Sequence, residues 1–191
     1  MKKLRNYLFR NLLLLAIVLS LAIQAAASPL SFSDVPVVSP LYVSVSYLAE
    51  RGISAGTGDG CFSPEQLITA RQWAVMLCRA YQVETVGETW AEKSGNSVAE
   101  ACRKGWLSEG DVRAPDTKLC RGALYESAFA AAGIPVYDAS LYDGSAKLST
   151  YGSIMRAGRE LKLWKDGESP DALVNRGEAA WLLHAVLTQS F

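Results

Sequence analysis

The stretch VNRGEAAWLLHAVL (Val174–Leu187) sets an asparagine, an arginine and a glutamate directly ahead of an apolar run. Asn-x-x-Glu in that setting marks a helix start. The Asn side chain accepts a backbone N–H of the first turn, and the Glu reaches back to cap in return. Beyond it, Ala179, Leu182, Leu183, Val186 and Leu187 fall at i, i+3, i+4, i+7 and i+8, the inward stripe of a surface helix. Arg176 is not needed for that capping, so a cation inside the motif calls for its own explanation.

Two other stretches are blurred relatives. ITARQWAVMLCRAY (Ile68–Tyr81) and LCRGALYESAFAAA (Leu119–Ala132) align with the first so that Thr69, Cys120 and Asn175 coincide, at intervals of 51 and 55 residues. Trp73, Met76, Leu77, Ala80 and Tyr81 repeat the apolar spacing. The stripe Leu124, Ala128, Ala131, Ala132 is weaker and stops at Gly133, ahead of Pro135.

A second helical segment precedes each. Asn96 is a candidate cap for a helix bearing Val98, Ala101 and Cys102 and ending near Lys104–Trp106; Ile154, Ala157, Gly158 and Leu161 mark another. LYVSVSYLAERG alternates like a strand, yet Leu41, Val45, Leu48 and Ala49 also fit a helix. Ser39-Pro40 at its start and Gly52 at its end favour helix. The repeating unit is then helix, loop, helix. One unit alone cannot bury its stripe, which predicts an all-α fold of three packed units: 28–83, 84–136 and 137–191.

Residues 1–27 read as a secretory signal peptide: MKKLRNYLFR carries four cations and no acid, Leu12–Ile23 is apolar, and AAAS offers a cleavage site after Ala27. That apolar run is short for a membrane span of roughly 20 residues. Removing four cations from a chain with 19 basic and 19 acidic residues leaves a net charge of −4. Such a surface argues against bulk nucleic-acid binding. Four cysteines in an exported chain allow two disulfides in three possible pairings, or four buried free thiols; sequence alone does not choose. One histidine and no CxxC pair argue against a zinc site.

Chemistry-bearing motifs are scarce. The loop AGTGDGCFSP (Ala55–Pro64) has glycines, but no G-K-[ST] follows, and its one aspartate cannot serve calcium. Turn-forming glycines with Phe62 plugging the core are expected there. His184 lies beside the last apolar stripe as a packing residue. No serine sits in a G-x-S-x-G elbow, and no carboxylate pair stands out. Neither catalysis nor a cofactor nor a metal is expected. Trp73, Trp90, Trp106, Trp164 and Trp181 fall mostly at core-compatible positions, with Trp106 and Trp164 the candidates for lining a groove.

FSDVP (Phe32–Pro36) followed by YLAERGISAGTGDGCFSPEQLITARQWAVMLCRAY (Tyr47–Tyr81) resembles the S-layer homology domain: F-x-D-V, helix, G-I-x-x-G, D-G-x-F-x-P, I-T-R-A-E, helix. VNRGEAAWLL with YGSIMRAGRELKLW, and CRKGW with LCRGALYESAF, resemble further, more divergent repeats. The resemblance implies three such repeats in pseudo-threefold packing, exported and held non-covalently on a bacterial cell wall. The implied ligand is a secondary cell-wall polysaccharide, often bearing acidic pyruvate ketals, bound in grooves between repeats. It further implies that the motif arginine contacts the ligand. Arg176, with Asn175 and Glu178, is the best-kept instance, and Arg121 with Gly122 the second. Arg71 stands one residue late, about 100° around the helix.

An arginine at a helix N-terminus also makes independent sense. First-turn N–H groups attract anions, and a guanidinium fork suits carboxylates. Packing of three units would make Cys78 and Cys102 neighbours and leave Cys61 to pair with Cys120. Almost nothing remains in the chain to be anchored, so an exported helical protein–protein module without carbohydrate affinity is the alternative, and a hydrolase with an unrecognised site a distant third.

Overall fold

Seven helices lie among the residues that this computed structural model describes, 32–138 and 151–189, and no strand longer than an isolated bridge accompanies them. The expected signal peptide falls outside that range. The helices are α1 (Tyr42–Glu50), α2 (Ala70–Ala80), α3 (Trp90–Arg103), α4 (Glu109–Arg113), α5 (Arg121–Ala132), α6 (Gly152–Glu160) and α7 (Arg176–Thr188). The chain is all-α, as its periodicity predicts.

Local chemistry sets the helix ends. Thr69 and Gln72 close a full capping box on α2, and Thr89 and Glu92 do so on α3. The expected cap Asn96 instead lies inside α3, where its Nδ2 donates to the Val86 carbonyl at 2.7 Å. The helix therefore starts two turns earlier than the apolar pattern suggests. The ambiguous segment is helical, but Leu41 rather than Ser39 occupies its N-cap, and Ser39 Oγ accepts from the Leu41 N–H. Gly133 ends α5 at φ 68°, a left-handed turn that glycine adopts without strain.

Three short segments ahead of α2, α5 and α7 meet at one place. The Ile68 N–H donates to Val174 O, the Val174 N–H to Leu119 O, and the Leu119 N–H to Ile68 O, each at 3.1 Å. This closed ring is flanked by bridges joining Leu67 to Asn175, Lys118 to Thr69, and Leu173 to Cys120. Around it, α2 packs on α3, α5 on α6, and α7 on α1, with α5 also against α7. Thus α2 and α5 each rest on the next described helix of the chain, and α7, the last, returns to α1. Backbone groups that would otherwise be orphaned in the centre are satisfied by one another.

The core fills the space inside. Trp73, Tyr125, Phe62, Phe129, Leu77, Leu124, Leu182 and Leu183 are fully buried. Phe62 is the plug expected of its loop. Trp73 Nε1 donates to Ser127 Oγ at 3.0 Å, joining α2 to α5, and Tyr125 donates its hydroxyl to Leu163 O at 2.6 Å. Burial without an unpaired indole or phenol is what makes these anchors favourable.

The expected disulfides are not formed; all four thiols are free. Cys78 donates to the Ser97 carbonyl on α3, whereas Cys120 lies against the Tyr151 hydroxyl and Cys61 beside Ser33 and Asp59. Cys61 and Cys120 thus have different neighbours, and Cys78 has a backbone acceptor in place of Cys102.

His184 is a packing residue as expected. Its Nδ1 lies 3.1 Å from Ser44 Oγ, and its ring centroid 4.7 Å from that of Tyr47. Burial lowers its affinity for a proton. The unfolded imidazole, near pKa 6.5, protonates first, so the contribution is present above that pH and lost as pH falls. The urea midpoint should fall between pH 7.5 and 5.5, and His184→Gln should flatten that part of the profile. An unchanged slope in the variant would show that His184 does not carry it.

Candidate functional site

The helix N-termini offer less to an anion than the sequence suggests. In α7 the Arg176 and Gly177 N–H groups donate to Gln66 O and Pro64 O, each at 2.8 Å, and the Glu178 N–H to Asn175 Oδ1, also at 2.8 Å. In α5, Arg121 and Gly122 donate to Ala172 O and Pro170 O; in α2, Ala70 and Arg71 donate to Thr117 O and Pro115 O. The loop before one motif helix caps the next one round the ring. First-turn donors are consumed internally, which leaves recognition to side chains.

The glycine after each of two arginines has a steric role. A Cβ on Gly122 would stand 2.3 Å from the Tyr151 ring, and one on Gly177 2.6 Å from Leu41 Cδ1. Tyr151 and Leu41 are the N-cap residues of α6 and α1. Gly122 therefore serves close packing. At the third equivalent position stands Arg71, whose side chain runs across to Ser94 of α3 and to Asp116.

The three motif arginines differ in what they hold. Arg71 is bidentate to Asp116, with Nε–Oδ1 2.8 Å and Nη2–Oδ2 2.9 Å. Arg121 is bidentate to both carboxylate oxygens of Glu178, donates Nη1 to Ser169 O at 3.1 Å, and has Glu168 at 3.8 Å. The apparent capping glutamate of the opening motif thus does not reach back to Asn175. It crosses to an arginine 57 residues away, while Asn175 donates Nδ2 to Glu65.

Arg176 is different. It is 3% exposed, its Nε donates to Phe62 O at 2.9 Å, and its guanidinium lies 4.8 Å from the Phe62 ring centroid. Its Nη2 has no hydrogen-bond partner among the described residues. Burial lowers its proton affinity, and the nearby Asp34 carboxylate opposes that loss. Asp34 accepts from the Phe62 and Ser63 N–H groups at 2.8 and 2.7 Å, fixing the loop whose carbonyl and ring hold the guanidinium. A buried donor with no partner is costly, about 1–3 kcal/mol for a neutral group and more for a charged one. Among the described residues the Tyr81 hydroxyl and the Trp164 Nε1 are likewise buried without a partner, but Arg176 is the charged group of the three.

Arg176 is among the residues that line a cleft of about 610 Å³. The wall also comprises the loop Ile53–Gly58, Gln66, the α2 face Gln72, Val75, Met76, Arg79, and Trp90 at the start of α3. A second cleft of about 410 Å³ is lined by Tyr125, Lys165, Glu168, Asn175, Glu178 and Trp181. Glu178 and Asn175 border this one, in which Arg121 does not take part. Of the two tryptophans singled out for grooves, Trp164 is buried at 4% exposure and Trp106 packs on Tyr81. Trp90, one of five tryptophans that fall mostly at core-compatible positions in the sequence, is 55% exposed. Arg79 and Trp90 were thus missed; an apolar residue in the first turn of a helix, ahead of its stripe, is the signal that pointed to Trp90.

Among the described residues, the ring of helices thus holds a buried arginine with an unpartnered Nη2, and that residue lines a cleft between elements. The S-layer homology domain model matches residues 31–69, about a fifth of the chain; domains of that family are generally bacterial cell-wall anchoring modules that bind rather than catalyse. One repeat is matched in this way. No curated protein matches the chain.

Proposed function

We propose that the chain is exported and attaches non-covalently to the bacterial cell wall by binding a secondary cell-wall polysaccharide. In this reading all three helix-loop-helix units are repeats of one kind, packed with pseudo-threefold symmetry after removal of residues 1–27. Supporting it are the cyclic helix pairs and the closed backbone ring, in which equivalent positions of the three segments bond to one another.

The observation that carries the ligand assignment is that Arg176, a buried arginine with an unpartnered Nη2, is among the residues lining the larger of the two clefts. A pyruvate-ketal carboxylate on the polymer would satisfy it through a charge-assisted hydrogen bond. Arg121 and Arg71 each already hold a carboxylate of this chain, so they act as structural ties, and Arg176 is the ligand-facing member. Asn175 and Glu178 support it by shaping the start of α7.

Sedimentation of residues 28–191 with purified cell walls tests this. Binding is expected to walls that retain their secondary polymers and to vanish once these are stripped. Binding indifferent to stripping would overturn the glycan reading in favour of a protein–protein module.

A further inference from the structure

The reading above rests on one buried cation, but the cleft has a second feature that the motif does not supply. Trp90 is the one tryptophan among the described large apolar residues that are more than half exposed, and it lines the same cleft as Arg176. Single exposed apolar residues are ordinary on surfaces. This one differs in how firmly the backbone around it is held. The Thr89 hydroxyl accepts from the Glu92 N–H at 3.3 Å, and the Glu92 carboxylate accepts from the Glu88 and Thr89 N–H groups at 2.8 and 3.2 Å. Gly87, at φ 141°, lies so close to the α3 backbone that an added Cβ would be 2.8 Å from Lys93 N. The chain is therefore pinned on both sides of the tryptophan.

The cleft also has divided chemistry. Val75, Met76 and Ile53 give it apolar wall, Gln66 and Gln72 give amide donors and acceptors, and the exposed Arg79 adds a second cation besides Arg176. Arg79 makes one long contact, 3.5 Å, to Ile53 O. A flat aromatic face beside amides and cations suits a pyranose ring, which carries an apolar C–H face and polar edges. A small acid alone would use the cation and leave the indole untouched.

From this we infer that Trp90 is the specificity-determining platform of the cleft: it stacks on the sugar ring that bears the acid group, so the ligand is an acidic glycan read as ring plus carboxylate, rather than a free acid. This rests on the anionic-glycan reading of Arg176 and adds a residue outside the repeat motif to it.

Three probes separate the two claims by calorimetry on the full mature chain: a methyl hexopyranoside bearing a 4,6-pyruvate ketal, the same glycoside without the ketal, and 2,2-dimethoxypropanoate, which keeps the ketal carboxylate and lacks the ring. Trp90→Ala should weaken the ketal glycoside about tenfold while leaving 2,2-dimethoxypropanoate within twofold, and Trp90→Phe should recover much of the loss. The ketal glycoside, and not the acid, should shift the tryptophan emission of the wild type, and Trp90→Phe should abolish that shift. Exposure of Trp90 makes both variants benign for folding, which thermal unfolding checks. Binding that needs Arg176 but is unaffected by Trp90→Ala would overturn the platform and leave the anionic-glycan reading standing. A wild type that binds neither the ketal glycoside nor the acid would overturn both.

Discussion

Replacing Arg176 with Gln is expected to cut affinity for the ketal glycoside about 10- to 100-fold, the loss of one charged fork at about 1.5–3 kcal/mol. Arg176→Lys should recover only part, because an ammonium keeps the charge without the planar fork. The free protein should behave in the opposite sense to a normal core mutation. The unpartnered Nη2 and the burial of the charge cost stability and offset the Nε bond and ring contact to Phe62, so removing the group should leave the melting temperature within a few degrees despite 3% exposure. Arg121→Ala supplies the contrast: it breaks a bidentate pair of 14% and 22% exposed side chains, so it should lower stability while leaving affinity within about twofold. Calorimetry for binding and thermal unfolding for stability read both. Equal losses of affinity in the Arg176 and Arg121 variants would show that the ion pair with Glu178 opens to admit ligand.

The largest stability effect should come from Trp73→Ala. Its side chain is fully buried, and its indole N–H donates to Ser127 across the two motif helices α2 and α5. Large-to-small substitution of a buried tryptophan costs about 3–5 kcal/mol, because the neighbours collapse only partly into the space. For a domain of this size that is a fall in melting temperature of about 6–20 °C. Ser127→Ala should cost less, about 1–3 kcal/mol, by leaving the indole N–H unpaired in the interior. A loss below 1 kcal/mol for Trp73→Ala, with two-state unfolding retained, would mean that α2 and α5 are not coupled through this contact.

Much of the fold was legible because its determinants are local. The stripes of α2 and α7 repeat every three to four residues, Thr69 with Gln72 names a capping box, and Gly133 names a stop. Legibility failed where the partner is distant. Glu178 stands at the right interval to cap Asn175, so sequence assigns it locally; the tertiary structure offers it Arg121, and a charged bidentate pair outcompetes a weak reciprocal cap. Asn96 failed for a related reason, since a residue with cap chemistry also bonds well inside a helix when a carbonyl such as Val86 O is within reach.

The sequence by itself determined the helical class, the likeness of residues 31–69 to an S-layer homology domain and the position of Arg176 at the head of a helix. Only the tertiary structure decided what the arginines do. Three cations at nearly equivalent positions are indistinguishable in a motif, because their roles depend on which carboxylate the ring brings to each. Asp116 reaches Arg71 and Glu178 reaches Arg121, while Arg176 receives a backbone carbonyl and an aromatic face and retains an unpaired donor. Long-range packing, which periodicity does not encode, leaves that one guanidinium without a carboxylate partner of its own.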